Sequence, residues 1–160
     1  MNALNWSENL ALQQPRMDQT HREFIDLLQQ LGQAAGNGAT DIDERLAGLT
    51  THTEAHFDQE ERWLAAVGFA PDNCHAAQHR QVLLVLEDVR RAWREEGNRP
   101  LVQVLVQELG NWFVAHAQTM DAGLVQLMAE QGYDPDTGQC ERPRDAEAAP
   151  LTGCGSAQCR

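Results

Sequence analysis

The sequence has no long unbroken apolar run: each one is interrupted by a charge or by amides within a turn or two, so no membrane-spanning helix is expected. Its start, Met1 to Leu10, lacks a basic segment followed by an apolar one, and no secretory signal is read there. Positive charge is scarce. Twelve Lys and Arg stand against twenty-four Asp and Glu, a formal charge of −12. The field of the whole molecule would repel a phosphate backbone or an anionic membrane, which argues against nucleic acid as a partner. Cysteine is sparse as well. Four residues, Cys74, Cys140, Cys154 and Cys159, in a chain without a signal read as thiols in a reducing compartment, the cytoplasm, rather than as a disulfide framework. What remains, 160 residues with 42% hydrophobic and 22% charged, suits one soluble globular domain and is expected to be monomeric.

Four segments carry apolar residues at intervals of three and four, with turn chemistry between them. The first runs from about Asp18 to about Ala35, with Phe24, Leu27, Leu28 and Leu31 on one side and Gly32, Gly36 and Gly38 loosening its end. The second, from about Asp41 to Ala66, has a partly polar stripe of Leu46, Leu49, Thr53, His56, Glu60 and Trp63 or Leu64. The third follows Pro71, with Asp72 or Asn73 as cap, and carries His75, His79, Val82, Leu86, Val89 and Trp93 before stopping near Gly97. The fourth starts at Pro100, a good first helical position, and passes Leu105, Leu109, Trp112, His116 and Leu124 to stop near Gly132. Short connections predict an all-α, antiparallel up-and-down four-helix bundle. Residues before Pro15 are expected to form an N-terminal arm anchored by Trp6 and Leu10. After Asp134 the only large aliphatic is Leu151, so residues 1–134 are expected to form the bundle and 135–160 a flexible, disordered tail containing cysteine.

Five of the six histidines lie on the inward stripes, together with Glu60 and Asp121. Side chains at i and i+4 point the same way on a helix, so His56 with Glu60, and His75 with His79, form chelating pairs. His21 and His116 add one imidazole each from the first and fourth helices. One four-coordinate zinc would leave three of these groups buried and unpaired, at roughly 1 to 3 kcal/mol each, so two metals fit the count better. Imidazole with carboxylate suits iron, and no thiol lies within the set to suggest an iron–sulfur cluster. The Glu-x-x-His pairs of other carboxylate di-iron bundles are missing from the sequence.

The segments Met17-Asp18-Gln19-Thr20-His21, His56-Phe57-Asp58-Gln59-Glu60-Glu61, His75-x-x-x-His79 and Trp112-x-x-x-His116-x-x-x-x-Asp121 resemble the hemerythrin family, in particular its bacterial members, from about Trp6 to Tyr133. The resemblance implies that His75, His79 and His116 bind one iron and His21 and His56 the other, with Glu60, Asp121 and an oxo or hydroxo group bridging them. Two six-coordinate irons so bound keep one open position, on the two-histidine side, for O2. The function implied is reversible O2 binding for storage, buffering or delivery, without catalysis. A sensor that passes its oxygenation or redox state to a redox or signalling partner protein through the tail uses the same ligands. So does a di-iron peroxidase or a nitric-oxide-handling enzyme.

Around this set several residues keep two readings. His52, one turn before His56, is a partly exposed helical histidine, an eighth ligand, or a partner of the ligands themselves. Phe113 stands where the family usually has an aliphatic residue, so it either narrows an O2 pocket or is core; Trp112, four before His116, lines the same pocket or simply packs. Glu61 is expected on a solvated face, and Cys74 to point away from its neighbour His75. Cys154 and Cys159 lack the tight Cys-x-x-Cys spacing of a zinc site. Finally, His116 and Asp121 are five residues apart, about 140° around a regular α-helix, so one wide π-type turn is expected between His116 and Gly123.

Overall fold

The computed structural model describes residues 4–153, so Cys154 and Cys159 lie outside the described residues. The helices are α1 (Pro15–Asn37), α2 (Ile42–Ala66), α3 (Cys74–Glu96) and α4 (Arg99–His116), which continues through a π-helical turn, Ala117–Asp121, into α5 (Ala122–Gln131). Helix α1 packs on α2 and α4, and α3 on the same two, closing an all-α four-helix bundle. No described helix is long and apolar enough to cross a membrane.

Each helix begins and ends where local chemistry dictates. The Gln14 side chain accepts the Met17 N–H at 2.6 Å with Pro15 in the first turn, so α1 starts three residues earlier than its apolar repeat suggested. Asn98 caps α4 in the same way, accepting from Leu101, with Pro100 just inside. Two residues suffice to join α3 to α4 because Gly97, at φ 62°, takes the left-handed conformation that ends a helix without a Cβ clash. Asn73 holds the α2–α3 link and the start of α3 together: its Oδ1 accepts the Ala76 N–H at 2.9 Å and its Nδ2 donates to Ala70 O at 2.6 Å.

The apolar interior is divided into two clusters. One contains Phe24, Leu28, Leu31, Leu46, Leu49, Phe57, Leu86, Val102, Leu109 and Phe113; the other contains Met17, Trp63, Leu64, Val67, Leu124 and Met128. Along α1 the order is Met17, His21, Phe24; along α2 it is Phe57, Glu60, Trp63; along the last helix it is Phe113, His116, Asp121, Leu124. A buried polar layer therefore separates the two clusters, which is why the inward stripe of α2 reads as partly polar.

The arm rests on the bundle as expected. Leu10 is buried, Trp6 packs against the larger cluster under the Arg22 guanidinium, and Gln29 donates to Leu4 O and Asn5 Oδ1. The described tail, 134–153, forms no helix or strand, yet it returns to the bundle. Arg142 N–H donates to Gln131 O at the end of α5, Leu151 exchanges backbone bonds with Gly68 O and Ala70 N–H, and Thr152 O accepts from Cys74 N–H at the start of α3. The tail satisfies backbone groups that helix ends leave without partners. Its one large aliphatic, Leu151, is among the residues that dock.

Replacing Asn73 with Ala removes a helix cap and a buried link at once. Thermal or urea denaturation should show a loss of about 1–2 kcal/mol; an unchanged midpoint would mean that α3 is positioned by packing alone.

Candidate metal centre

The polar layer consists of His21 from α1, His56 and Glu60 from α2, His75 and His79 from α3, His116 from the end of α4, and Asp121 from the π turn. All seven are at most 4% exposed. Their donor atoms form two groups, Glu60 with His75, His79, His116 and Asp121, and His21 with His56 and Glu60, each within a span that one ion could fill. Bringing all four helices to one layer needs the π turn. There the backbone takes five residues over one turn, and the His116 Nε2 to Asp121 Oδ1 distance is 3.2 Å, as the irregular turn expected from the five-residue spacing requires. Thr119 Oγ1 donates to Ala115 O at 2.7 Å, occupying a carbonyl in the stretched ladder.

The carboxylates divide their oxygens. Glu60 turns Oε1 towards His56 and His21 and Oε2 towards His79, at 3.1 Å, and His75, at 3.4 Å. Asp121 turns Oδ2 towards His21, at 3.2 Å, and Oδ1 towards His75, at 3.0 Å, and His116. These atoms are close but not aligned as hydrogen bonds: both nitrogens of His21 and His56, Nε2 of His75 and both oxygens of each carboxylate have no hydrogen-bond partner among the described residues. So many buried groups without partners would cost several kcal/mol if nothing else engaged them. His79 and His116 make the same point. Their Nε2 atoms face each other at 3.3 Å, while their Nδ1 atoms meet the Glu61 carboxylate and the Gln78 amide oxygen. Those oxygens accept, so each Nδ1 carries the hydrogen and two Nε2 lone pairs confront one another. A cation between them removes the conflict, and this mixed nitrogen and oxygen set is compatible with a di-iron site.

Electrostatics without a metal runs the same way. Burial works against charge at His21 and His75, but Asp121 and Glu60 overcome it and hold both imidazoles up at about 9. Burial likewise opposes ionisation of Glu60 and Asp121, and the surrounding imidazoles keep both well below the ordinary carboxylate range. His79 moves down because its burial outweighs Glu60.

The neighbours separate. Phe113, fully buried, meets His21 edge-on at 4.9 Å and stacks on Phe24. Trp112 instead stacks on His116 at 4.4 Å, so the two residues read together as one pocket touch different histidines. His52 pairs with Glu23 at 3.2 Å near the surface and belongs to neither donor group. Cys74 is also outside both groups. Glu61, expected on a solvated face, is only partly there: its carboxylate reaches His79 Nδ1 at 3.2 Å. Glu61 reads from the sequence as a solvated residue and Gln78 carries no signal there, because each touches a histidine on another helix and no spacing along the chain marks that contact.

The family model of the hemerythrin HHE cation binding domain matches residues 14–128. Among curated proteins, a bacteriohemerythrin of Ralstonia nicotianae is 34% identical over 134 residues, covering 84% of this chain and 95% of the relative. A bacteriohemerythrin of Methylococcus capsulatus is 25% identical over 105 residues, 65% of this chain and 79% of the relative. No solved structure matches the chain at a significant level.

The raised imidazoles fix a sign. Their contribution to the stability of the chelator-stripped protein is complete below the ordinary value of 6.5 and is lost as pH rises through about 9. The melting temperature of stripped protein should therefore fall between pH 6.5 and 9.5, while divalent metal, which must displace those protons, is retained better and releases protons on binding. A melting temperature that rises over this interval, or metal uptake without proton release, would contradict protonated His21 and His75.

Proposed function

The chain belongs to the hemerythrin family, and on that footing we propose that its buried centre holds two irons and binds O2 reversibly, for storage, buffering or delivery. His75, His79 and His116 would hold one iron and His21 and His56 the other, with Glu60 and Asp121 placed to serve both. The observation that carries this reading is the division of the carboxylate oxygens, one of each facing the three-histidine side and the other facing the two-histidine side. A single ion would use one such group and leave the other unpaired.

When bound, the iron pair supplies two electrons reversibly, one from each metal. The protein's part is to keep the surroundings dry and the ligands in place. Phe113 and Phe24 stack beside His21 and border that side with apolar surface, which would keep water and protons away from it. Phe113 is the pocket residue on this side; Trp112 serves the opposite one. Binding is assigned to residues 1–134, which contain all seven ligands.

Purified protein should contain two irons per chain, and its reduced form should gain an absorption band in air and lose it when O2 is removed. His21→Ala and His56→Ala should each abolish the oxygen-dependent band while the helical circular dichroism persists. One zinc and no iron after expression in adequate iron would reject the di-iron reading, and normal O2 binding in both variants would reject the ligand assignment. Deleting residues 135–160 should lower the melting temperature, since the Cys74, Gly68 and Gln131 backbone bonds are lost, but should leave iron content unchanged; loss of iron would place part of the site in the tail.

A further inference from the structure

The two sides of the centre differ in what holds the outer edges of their histidines. On the three-histidine side, His79 Nδ1 lies 3.2 Å from Glu61 Oε1 and His116 Nδ1 lies 2.9 Å from Gln78 Oε1. The ring faces are held too: Phe57 stacks on His79 at 3.8 Å, nearly parallel, and Trp112 stacks on His116. On the other side, the Nδ1 atoms of His21 and His56 are buried with no hydrogen-bond partner among the described residues. Glu61 follows Glu60 directly, so about 100° of helical rotation sends the first carboxylate into the interior and the second around its rim. There its side chain is 43% exposed, and it brings a charge to an outer nitrogen of the set.

Resting on the di-iron reading above, we propose that Glu61 is a positioning residue that makes the three-histidine iron the firmly held and harder to reduce of the two, with Gln78 fixing the neighbouring ring. An ionised carboxylate can only accept, so it fixes the hydrogen on Nδ1 and turns the Nε2 lone pair inward. Its negative charge also makes the imidazole a stronger donor, and a stronger donor stabilises the more positive state of a bound metal. The two-histidine side has no such support. That suits the side where an external ligand comes and goes and where coordination must change without strain.

The test separates charge from hydrogen bonding. Glu61→Gln keeps an acceptor oxygen and the side-chain shape but removes the charge, Glu61→Ala removes both, and Glu54→Gln, at an exposed position on α2, controls for the change in net charge. Each full-length protein is loaded with iron, checked for helical content, and measured for iron retention against a chelator and for midpoint potential by equilibrium titration. Glu61→Gln should keep the iron content and shift the midpoint potential upward. Glu61→Ala should show the same upward shift and lose iron about 10–100-fold more readily, and Glu54→Gln should match the unmodified protein. Unmoved potential and retention in both Glu61 variants, or an equal shift in Glu54→Gln, would overturn the role of Glu61 while leaving two irons per chain intact. An unmodified protein that takes up no iron would overturn both readings.

Discussion

Two ionised carboxylates and five imidazoles packed into the middle of a helical bundle are the constraint on which the rest of this structure depends. Removing a carboxylate from water costs several kcal/mol even after relaxation, and Glu60 and Asp121 are both fully buried. Nothing on the bundle's apolar walls can repay that. Neighbouring imidazoles offset part of it by taking up protons, and bound cations can offset more. The layer also interrupts the hydrophobic core, leaving a large cluster on one side and a smaller one around Trp63 and Leu124 on the other.

The helices are arranged to serve that layer. Asn73 secures the start of α3 just before His75, and the tail adds a backbone bond to Cys74 at the same place. The π turn gives up regular hydrogen bonding in the last helix so that His116 and Asp121 can face the same point. Strain of this kind persists only where surroundings enforce it, and here the enforcing groups are the buried donors themselves. Aromatic rings then tighten the arrangement unevenly: Phe57 and Trp112 lie flat on His79 and His116, whereas Phe113 meets His21 edge-on. One side of the centre is clamped and the other is bordered by apolar surface.

Much of this was legible along the chain because helices repeat locally. The i, i+4 spacing of His56 with Glu60 and of His75 with His79, and the positions of Pro100, Asn73, Gly97 and Gly132, depend on rules that act within one or two turns. They led to the four helices, their ends and the shared polar face. The misfit of five residues between His116 and Asp121 was itself a local signal, and it pointed to the irregular turn. The start of α1 was harder to place, since Gln14 is an unusual cap and the apolar repeat begins only inside the helix.

By itself the sequence determined the helical bundle, the set of side chains on its inner face and the need for a wide turn in the last helix, because each follows from periodicity and capping within a single helix. The tertiary structure alone decided how the carboxylate oxygens are shared between the two histidine groups, that Glu61 and Gln78 hold the outer nitrogens of His79 and His116, that Trp112 and Phe113 face different histidines, and that the tail returns through Leu151 to the start of α3. These are contacts between residues on different helices or far apart in the chain. They depend on how the helices are rotated and spaced against one another, and no local rule carries that information.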